Sequence, residues 1–274
     1  MKTFAAYVVV VFGLLYKEVV QRMLKRGFVA IALVLVLSGG AFAAIPLITD
    51  DTGTQGKGNF QLELFGEYGH DREEIVTTKT SDISLTLTYG IIDTVDIVLG
   101  IPYQAWSSED SGSKEEGDGI GDLSLEAKWR VYEKEGLSLA LKPGFTIPTG
   151  NEEKGLGAGR PTYHLLVLAT KQMKPWQFDM NIGYLYNENT AGERKNIWSA
   201  SVDAQVEVVE HLKVALDVGV ATNPDSSSNT PPAYILGGLI WSARENLDIG
   251  LGIKGGLTKP ETDISVRGGI TWRF

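Results

Sequence analysis

The sequence contains no cysteine, which excludes disulfide bonds and thiolate chemistry. It has only three histidines, so sites built from several imidazole groups have few possible ligands. After residue 43, no apolar run approaches the roughly 20 residues that a membrane-spanning helix needs. Residues 44–274 carry 20 Lys or Arg and 33 Asp or Glu, a net charge of −13. This acidity argues against nucleic acid as a partner.

The first 43 residues have the pattern of a secretory leader. Lys25 and Arg26 precede an apolar run over 28–37, and Ala41-Phe42-Ala43 is a small-x-small cleavage site. We therefore predict that residues 1–43 are a leader with a signal peptide. Residues 1–22 add a second apolar patch, so either translation starts at Met23 or the leader is unusually long.

The remaining chain alternates between apolar and polar residues over most of its length. In "ISLTLTY", for example, Ile83, Leu85 and Leu87 share one face, and Ser84 and Thr86 share the other. A period of two indicates β-strands, and no convincing helical stretch is present. We predict twelve strands at 59–70, 77–90, 95–106, 120–132, 137–147, 161–171, 176–187, 194–208, 212–222, 232–242, 247–258 and 262–274.

Short and long connections alternate between these strands. Tight turns such as "EKEG" and "QMKP" are interleaved with long polar loops such as "SSEDSGSKEEGDG" and "NPDSSSNTPP". Short turns at one end and long loops at the other are typical of outer-membrane barrels. We predict an all-β fold, a single transmembrane up-and-down antiparallel β-barrel of about twelve strands over residues 59–274. Residues 44–58 then form an N-terminal segment in the periplasm or the lumen.

The aromatic residues concentrate near strand ends, where a bilayer has its two interfaces. A soluble lipocalin-like barrel or sandwich is the alternative, but it would bury its tryptophans centrally. Phe274 closes the last strand and resembles the signal that the outer-membrane assembly machinery reads. The predicted membrane-interface aromatics are Trp106, Trp129, Trp176, Trp198, Trp241, Trp272 and Phe274.

Two stretches carry a family resemblance. Residues 46–68 contain Pro46-Leu47, Thr49-Asp50-Asp51, Gly53-Thr54, Gly56, Gly58 and Glu63. Together with "YGIIDTVDIVLGIPY" at 89–103, they resemble the bacterial outer-membrane transporters named after the MetA pathway of phenol degradation. The resemblance implies a barrel that takes up small solutes, aromatic compounds among them. It brings no catalytic residues.

Three motifs have simpler explanations than catalysis or ligand binding. Asp51-Thr52-Gly53 matches the aspartic-protease triplet, but that chemistry needs a second such carboxylate facing the first. The glycine-rich stretch 155–159 precedes no helix whose N-terminus could bind a phosphate, so we predict an exposed loop there. The acidic stretch 107–119 has no EF-hand spacing. His164 has no evident serine partner, so a barrel lipid hydrolase is the less favoured alternative.

Charged residues on the polar faces are the main candidate site. A charge facing lipid is costly, about 2–4 kcal/mol for Lys or Arg at the midplane, so these groups must face the lumen. Acidic candidates are Glu63, Glu67, Asp96, Asp122, Glu126, Asp179, Asp203, Glu207, Asp217, Asp248 and Asp263, and basic ones are Lys128, Arg130, Lys142, Lys213, Lys254, Arg267 and Arg273. From these we select Glu63, Glu67, Glu126, Lys128, Arg130, Asp179, Asp203, Lys213, Asp217 and Arg267 as lumen-lining transport residues.

Two interpretations of this interior stay open. A wet lumen would let small solutes diffuse through without an energy source, and a closed, ion-paired interior would make a structural or adhesive barrel with no flux. We expect a monomer in the bacterial outer membrane, in contact with lipid. We expect no cofactor, no metal and no enzymatic activity.

Cleavage of the leader is directly testable. We expect Ala44 to be the first residue of the mature protein, because the small-x-small site ends at Ala43. N-terminal mass spectrometry of the membrane-extracted protein checks this. A mature protein that keeps residues 28–37 would contradict the signal-peptide interpretation.

Overall fold

The computed structural model describes residues 44–73 and 75–274, so the predicted leader lies outside the described residues. It contains thirteen strands and one short 3-10 helix, Glu152–Lys154. The strands are β1 Phe60–Glu73, β2 Val76–Ile92, β3 Val95–Asp110, β4 Ser113–Ile120, β5 Leu123–Lys134, β6 Leu137–Ile147, β7 Tyr163–Met173, β8 Trp176–Tyr186, β9 Asn196–Val209, β10 Leu212–Ala221, β11 Ala233–Arg244, β12 Leu247–Gly256 and β13 Ile264–Arg273. Across the described ranges, no helix is long and apolar enough to cross a membrane.

The strands form one closed antiparallel sheet. Apart from β4 and β5, strands that are neighbours in the chain pair with each other. β1 pairs with β13 from Gln61↔Arg273 to His70↔Ile264, which closes the barrel. β4 and β5 share one position beside β3, β4 against residues 103–110 and β5 against residues 95–100. The thirteen strands therefore make a twelve-position barrel, which confirms the predicted up-and-down fold. Closure leaves the twelve-position wall without a free edge, and of the described strands only β4, which pairs with β3 alone, has an unpaired side.

Two predicted loops are strand extensions. β1 and β2 continue to Glu73 and Val76, and β3 and β4 continue to Asp110 and Ser113. The prediction that 107–119 forms a solvated loop is therefore wrong. The backbone pairs there because no proline interrupts it and a tight turn with Ser111 and Gly112 at positive φ reverses the chain.

The two faces of the wall differ in polarity and in exposure. On β2, the outward Ile83, Leu85 and Leu87 are 38–52% exposed, while the inward Thr86 and Thr88 are buried. The same pattern runs around the sheet. An apolar exterior over a polar interior is the arrangement of a membrane-spanning barrel.

Six of the seven predicted interface aromatics face outward at strand ends. Trp129, Trp176, Trp198, Trp241, Trp272 and Phe274 are 45–58% exposed. Trp106 was wrongly assigned. It lies on the inward face of β3, is 7% exposed, and its Nε1 donates to the Lys154 carbonyl at 2.8 Å. The alternation of β3 already indicates this, because Trp106 has the same parity as the buried Asp96 and Gln104. The position of Trp106 near a strand end does not determine the face to which it belongs.

The closing seam generates a prediction. Phe274 and Phe60 exchange both backbone hydrogen bonds, at 2.7 and 2.9 Å, and their rings stack at 5.7 Å. We expect Phe274→Ala to cost about 1–2 kcal/mol of unfolding free energy and to slow barrel assembly more than it weakens the folded state. Heat-modifiable gel mobility of outer-membrane fractions measures both the rate of barrel assembly and the stability of the folded barrel. Leu257→Ala, another exposed apolar position, is the control. Wild-type assembly rates in Phe274→Ala would contradict the prediction.

Candidate functional site

Residues 44–58, here called the lumen segment, run from the short-turn rim of the barrel into its interior. Sequence analysis left the periplasm and the lumen open as positions, and the contacts of the segment with inward side chains place it in the lumen. Starting from β1, the segment passes the β2–β3 turn, where Gly58 N donates to Gly90 O at 2.8 Å and Thr54 Oγ1 donates to Asp93 O at 2.8 Å. It then runs into the middle of the barrel, where Thr49 and Asp50 are each 1% exposed.

The Asp50 carboxylate forms the centre of a buried ion-pair network. Its Oδ1 accepts from Lys128 Nζ at 2.9 Å, and its Oδ2 accepts from Lys142 Nζ at 3.0 Å. Lys142 also pairs with Glu126 at 3.1 Å, and Glu126 contacts His164 Nε2 at 2.6 Å. The network joins the segment to strands β5, β6 and β7. Removal of one partner of such a buried pair leaves an uncompensated charge, at a cost of about 3–5 kcal/mol.

A second anchor holds the backbone of the segment on the β9–β10 wall. The N–H groups of Ile48 and Thr49 donate to Asp217 Oδ2 at 2.7 and 2.8 Å, and Thr49 Oγ1 donates to Asp217 Oδ1 at 2.8 Å. Oriented to satisfy both of its polar atoms, the Asn181 amide accepts from Asp50 N at 2.7 Å and donates to Asp50 O at 2.8 Å. The segment is thus bound by its backbone on one wall and by its carboxylate on another.

Inward-facing glycines make room for the first residues of the segment. Gly238 on β11 and Gly250 and Gly252 on β12 lie under Ile45 and Pro46. A Cβ at Gly250 would lie 1.9 Å from the Ile45 carbonyl oxygen, and one at Gly252 would lie 2.8 Å from Pro46 Cγ. Any side chain at these positions would occupy the space of the segment. The glycines are therefore a cradle matched to it.

A second ion-pair network lies near the long-loop end of the interior. Glu67 on β1 pairs with Lys254 at 3.3 Å and with Arg267 at 3.3 Å, and Ser265 Oγ donates to Glu67 at 2.6 Å. Glu261, from the β12–β13 connection, reaches back to Lys254 at 2.9 Å. This network therefore fixes a loop to the wall.

The structure places all ten predicted lumen residues on inward faces, but in different surroundings. Glu126, Lys128 and Asp217 contact the lumen segment or its network, while Glu67 and Arg267 belong to the second network. The others are placed as follows: Glu63 accepts from Thr271, Asp179 from Thr170, Gln177 and Gln205, and Asp203 from Gln205; Arg130 pairs with Glu133 at the short-turn end, where Lys213 also lies half-buried on β10.

Sequence reasoning missed two features of this site. It did not assign Asp50 as the partner of Lys128 and Lys142, and it did not join His164 to Glu126. The available signal was that two lysines at mid-strand positions of β5 and β6 face the interior, where each needs a nearby anion. Which anion it is depends on how far residues 44–58 reach into the barrel, and alternation carries no information on that.

Loops close over part of the long-loop end. Asp122, between β4 and β5, accepts from Gly150 N at 2.9 Å and from Ala158 N at 2.8 Å, and Leu156 between them is 2% exposed. The glycine-rich stretch 155–159 is thus docked on the barrel. Arg194 likewise joins two loops, since its guanidinium donates to the carbonyls of Asp225, Ser226 and Ser228. The mouth is narrowed by ordered loops.

The glycine cradle allows a direct test of how the segment is seated. In a Leu47→Cys background, which has no other cysteine, Gly250→Ala should raise the rate of maleimide labelling at least tenfold. The new methyl group displaces Ile45, and residue 47, now 3% exposed, becomes accessible. Labelling of detergent-purified protein measures the rate.

The matched control is Gly237→Ala on neighbouring β11, where an added Cβ meets nothing within 4 Å. It should label as slowly as the Leu47→Cys parent. Equal labelling rates in Gly250→Ala and Gly237→Ala would contradict the seating of the segment on the cradle.

Comparison with known proteins agrees with the fold. An outer-membrane channel from Pseudomonas putida F1 superposes with a TM-score of 0.66 at 14% identity, covering 82% of this chain and 98% of that one. The KdgM porin superposes with a TM-score of 0.52 at 6% identity, covering 78% of this chain and 99% of that one. No curated protein matches the sequence. A family model described as "Putative MetA-pathway of phenol degradation" matches residues 46–274, and the chain belongs to this family.

Proposed function

We propose that the protein is a bacterial outer-membrane channel for small solutes, with a passage that the lumen segment closes. Solutes cross by diffusion without an energy source, and aromatic compounds are among them. The observation that carries this proposal is a polar, charged interior whose middle is filled by a separate segment of chain and not by side chains of the wall alone. The channel and the porin described above share its architecture.

A removable segment distinguishes a gated passage from a solid core. Residues 44–53 are not part of the sheet, so they can leave without breaking a strand pairing. Their departure would break the contacts with Asp217, Lys128 and Lys142, each of which is polar and can be replaced by water. Transport then requires movement of the segment, while the barrel wall stays intact.

A structural barrel with no flux is the second candidate. The ion pairs of Glu126, Lys142 and Asp50, and of Glu67, Lys254 and Arg267, favour it, because paired charges can fill an interior without conducting. Neither the channel nor the structural barrel catalyses a reaction. A barrel lipid hydrolase has less support, because His164 contacts Glu126, and no serine hydroxyl is bonded to its ring among the described residues.

A reversible cross-link tests the gate. Thr52 on the segment and Ser138 on β6 are in hydroxyl-to-hydroxyl hydrogen-bond contact, so a disulfide in Thr52→Cys/Ser138→Cys should hold the segment in place. We expect purified protein in planar bilayers to be silent when oxidised and to conduct after reduction. The change should be at least tenfold in open probability, because only reduction lets the segment move.

The control pair is Thr146→Cys/Thr162→Cys, whose hydroxyl groups lie 2.8 Å apart on the wall and do not contact the segment. Its conductance should not change on reduction. Equal currents from the oxidised and reduced Thr52–Ser138 pair would refute gating by the segment. A folded wild-type protein that stays silent, together with a silent deletion of residues 44–53, would favour the structural candidate.

A further inference from the structure

Lys128 and Lys142, at the centre of the barrel, each bind one oxygen of the same carboxylate. This two-lysine site is here called the grip. Lys128 Nζ contacts one Asp50 oxygen at 2.9 Å, and Lys142 Nζ contacts the other at 3.0 Å. Lys142 is 0% exposed and Asp50 is 1% exposed, so both charges are removed from bulk water. The carboxylate belongs to the lumen segment, which under the proposed function leaves the interior.

Departure of the segment affects the two lysines differently. Lys142 keeps its ion pair with Glu126 at 3.1 Å. Within the described ranges, the hydrogen bonds of the Lys128 ammonium both end on the segment, at Asp50 Oδ1 and the Asp51 carbonyl. A cation inside the barrel without a counterion is costly. The vacated position therefore favours an incoming anion.

Two buried acids of the wall also face this position. Asp96 on β3 lies opposite Lys128 in the sheet and is 1% exposed, but its carboxylate accepts from Gln55 N at 3.0 Å and no ion pair within 4.0 Å joins it to Lys128. Glu63 on β1 faces the same part of the lumen and is 4% exposed, and its Oε1 accepts from Thr271 at 3.3 Å. It forms no ion pair within 4.0 Å of Lys128 or Lys142. Glu63 lowers the local positive potential without filling the grip, so its neutral variant should bind anions more tightly.

A small cavity adjoins the network on the long-loop side of the segment. Its volume is about 70 Å³, and its lining combines apolar Ile48, Leu166 and Ile197 with Asn181 and His164. His164 connects it to the lysine pair through Glu126 and Lys142. When Ile48 leaves with the segment, the cavity becomes continuous with the grip. Space for the apolar part of a solute then lies beside the position for its carboxylate.

We infer that Lys128 and Lys142 form a binding site for the carboxylate of a small organic anion with an apolar body. Asp50 occupies this site as an internal competitor until such a solute displaces it. The inference rests on the proposed function, because it needs a segment that can leave. It adds a substrate class and a trigger: the solute that passes is also the one that releases the segment.

Benzoate is a suitable probe, and benzamide is its neutral analogue of nearly the same shape. In detergent-purified mature protein, calorimetry should find at least tenfold tighter benzoate binding to Asp50→Asn than to wild type, because the competing charge is gone. Adding Lys128→Met to Asp50→Asn should abolish that gain, whereas exposed Lys79→Met should not. Benzamide should bind none of these proteins measurably.

Two further measurements keep the inference testable if Asp50→Asn does not fold. Glu63→Gln should bind benzoate more tightly than wild type. In the Leu47→Cys protein, benzoate but not benzamide should raise the maleimide labelling rate. Equal benzoate affinity in wild type, Asp50→Asn and Glu63→Gln, or equal binding of benzamide, would overturn the inference.

Binding in detergent is independent of flux, so the two proposals fail separately. Benzoate binding to a protein that is silent in bilayers would refute the channel and keep the carboxylate site. Conductance, together with equal binding of benzoate and benzamide in detergent, would keep the channel and refute the site.

Discussion

The structure depends on one constraint: a sheet in a bilayer must satisfy every backbone polar group within itself. Closure of β1 onto β13 meets this requirement and fixes which side chains face lipid and which face inward. Charged residues on alternating positions then have only the lumen to occupy. Their need for partners explains much of the interior, because each inward charge must find a counterion, a hydrogen bond or water.

The lumen segment meets that need for the central charges. Its Asp50 carboxylate neutralises two lysines of β5 and β6, and its backbone N–H groups bind Asp217 of β10. The glycines of β11 and β12 matter for a related reason, since only positions without a side chain leave room for Ile45 and Pro46. Wall and segment are therefore complementary in charge and in shape, although they share no sheet hydrogen bonds in the middle of the barrel.

The contacts of the segment with the wall are of a kind that water or a solute can replace. Its polar contacts can be exchanged for water or for a solute with similar groups, because its only covalent link to the wall is the chain connection to β1. The second network, around Glu67, Lys254 and Arg267, differs in this respect. It joins β1, β12 and β13 to the β12–β13 connection through Glu261 and involves no residue of the segment, so it supports the wall independently of the segment.

The sequence by itself determined the strands, their number around the barrel and the face of nearly every residue. A period of two is a local property, and alternate residues of a strand face lipid and lumen. Alternation placed Glu126, Lys128 and Asp217 inward, and the structure agrees. The prediction for Trp106 relied on its position near a strand end and not on alternation, which places it inward with Asp96 and Gln104. The loop carbonyl that it bonds depends on the tertiary structure. Sequence reasoning also failed for residues 107–119, whose polar composition suggests a loop although their backbone pairs. Only the tertiary structure decided that Asp50 lies between Lys128 and Lys142, since these residues are 78 and 92 positions away from it and meet only after the barrel has closed around the segment.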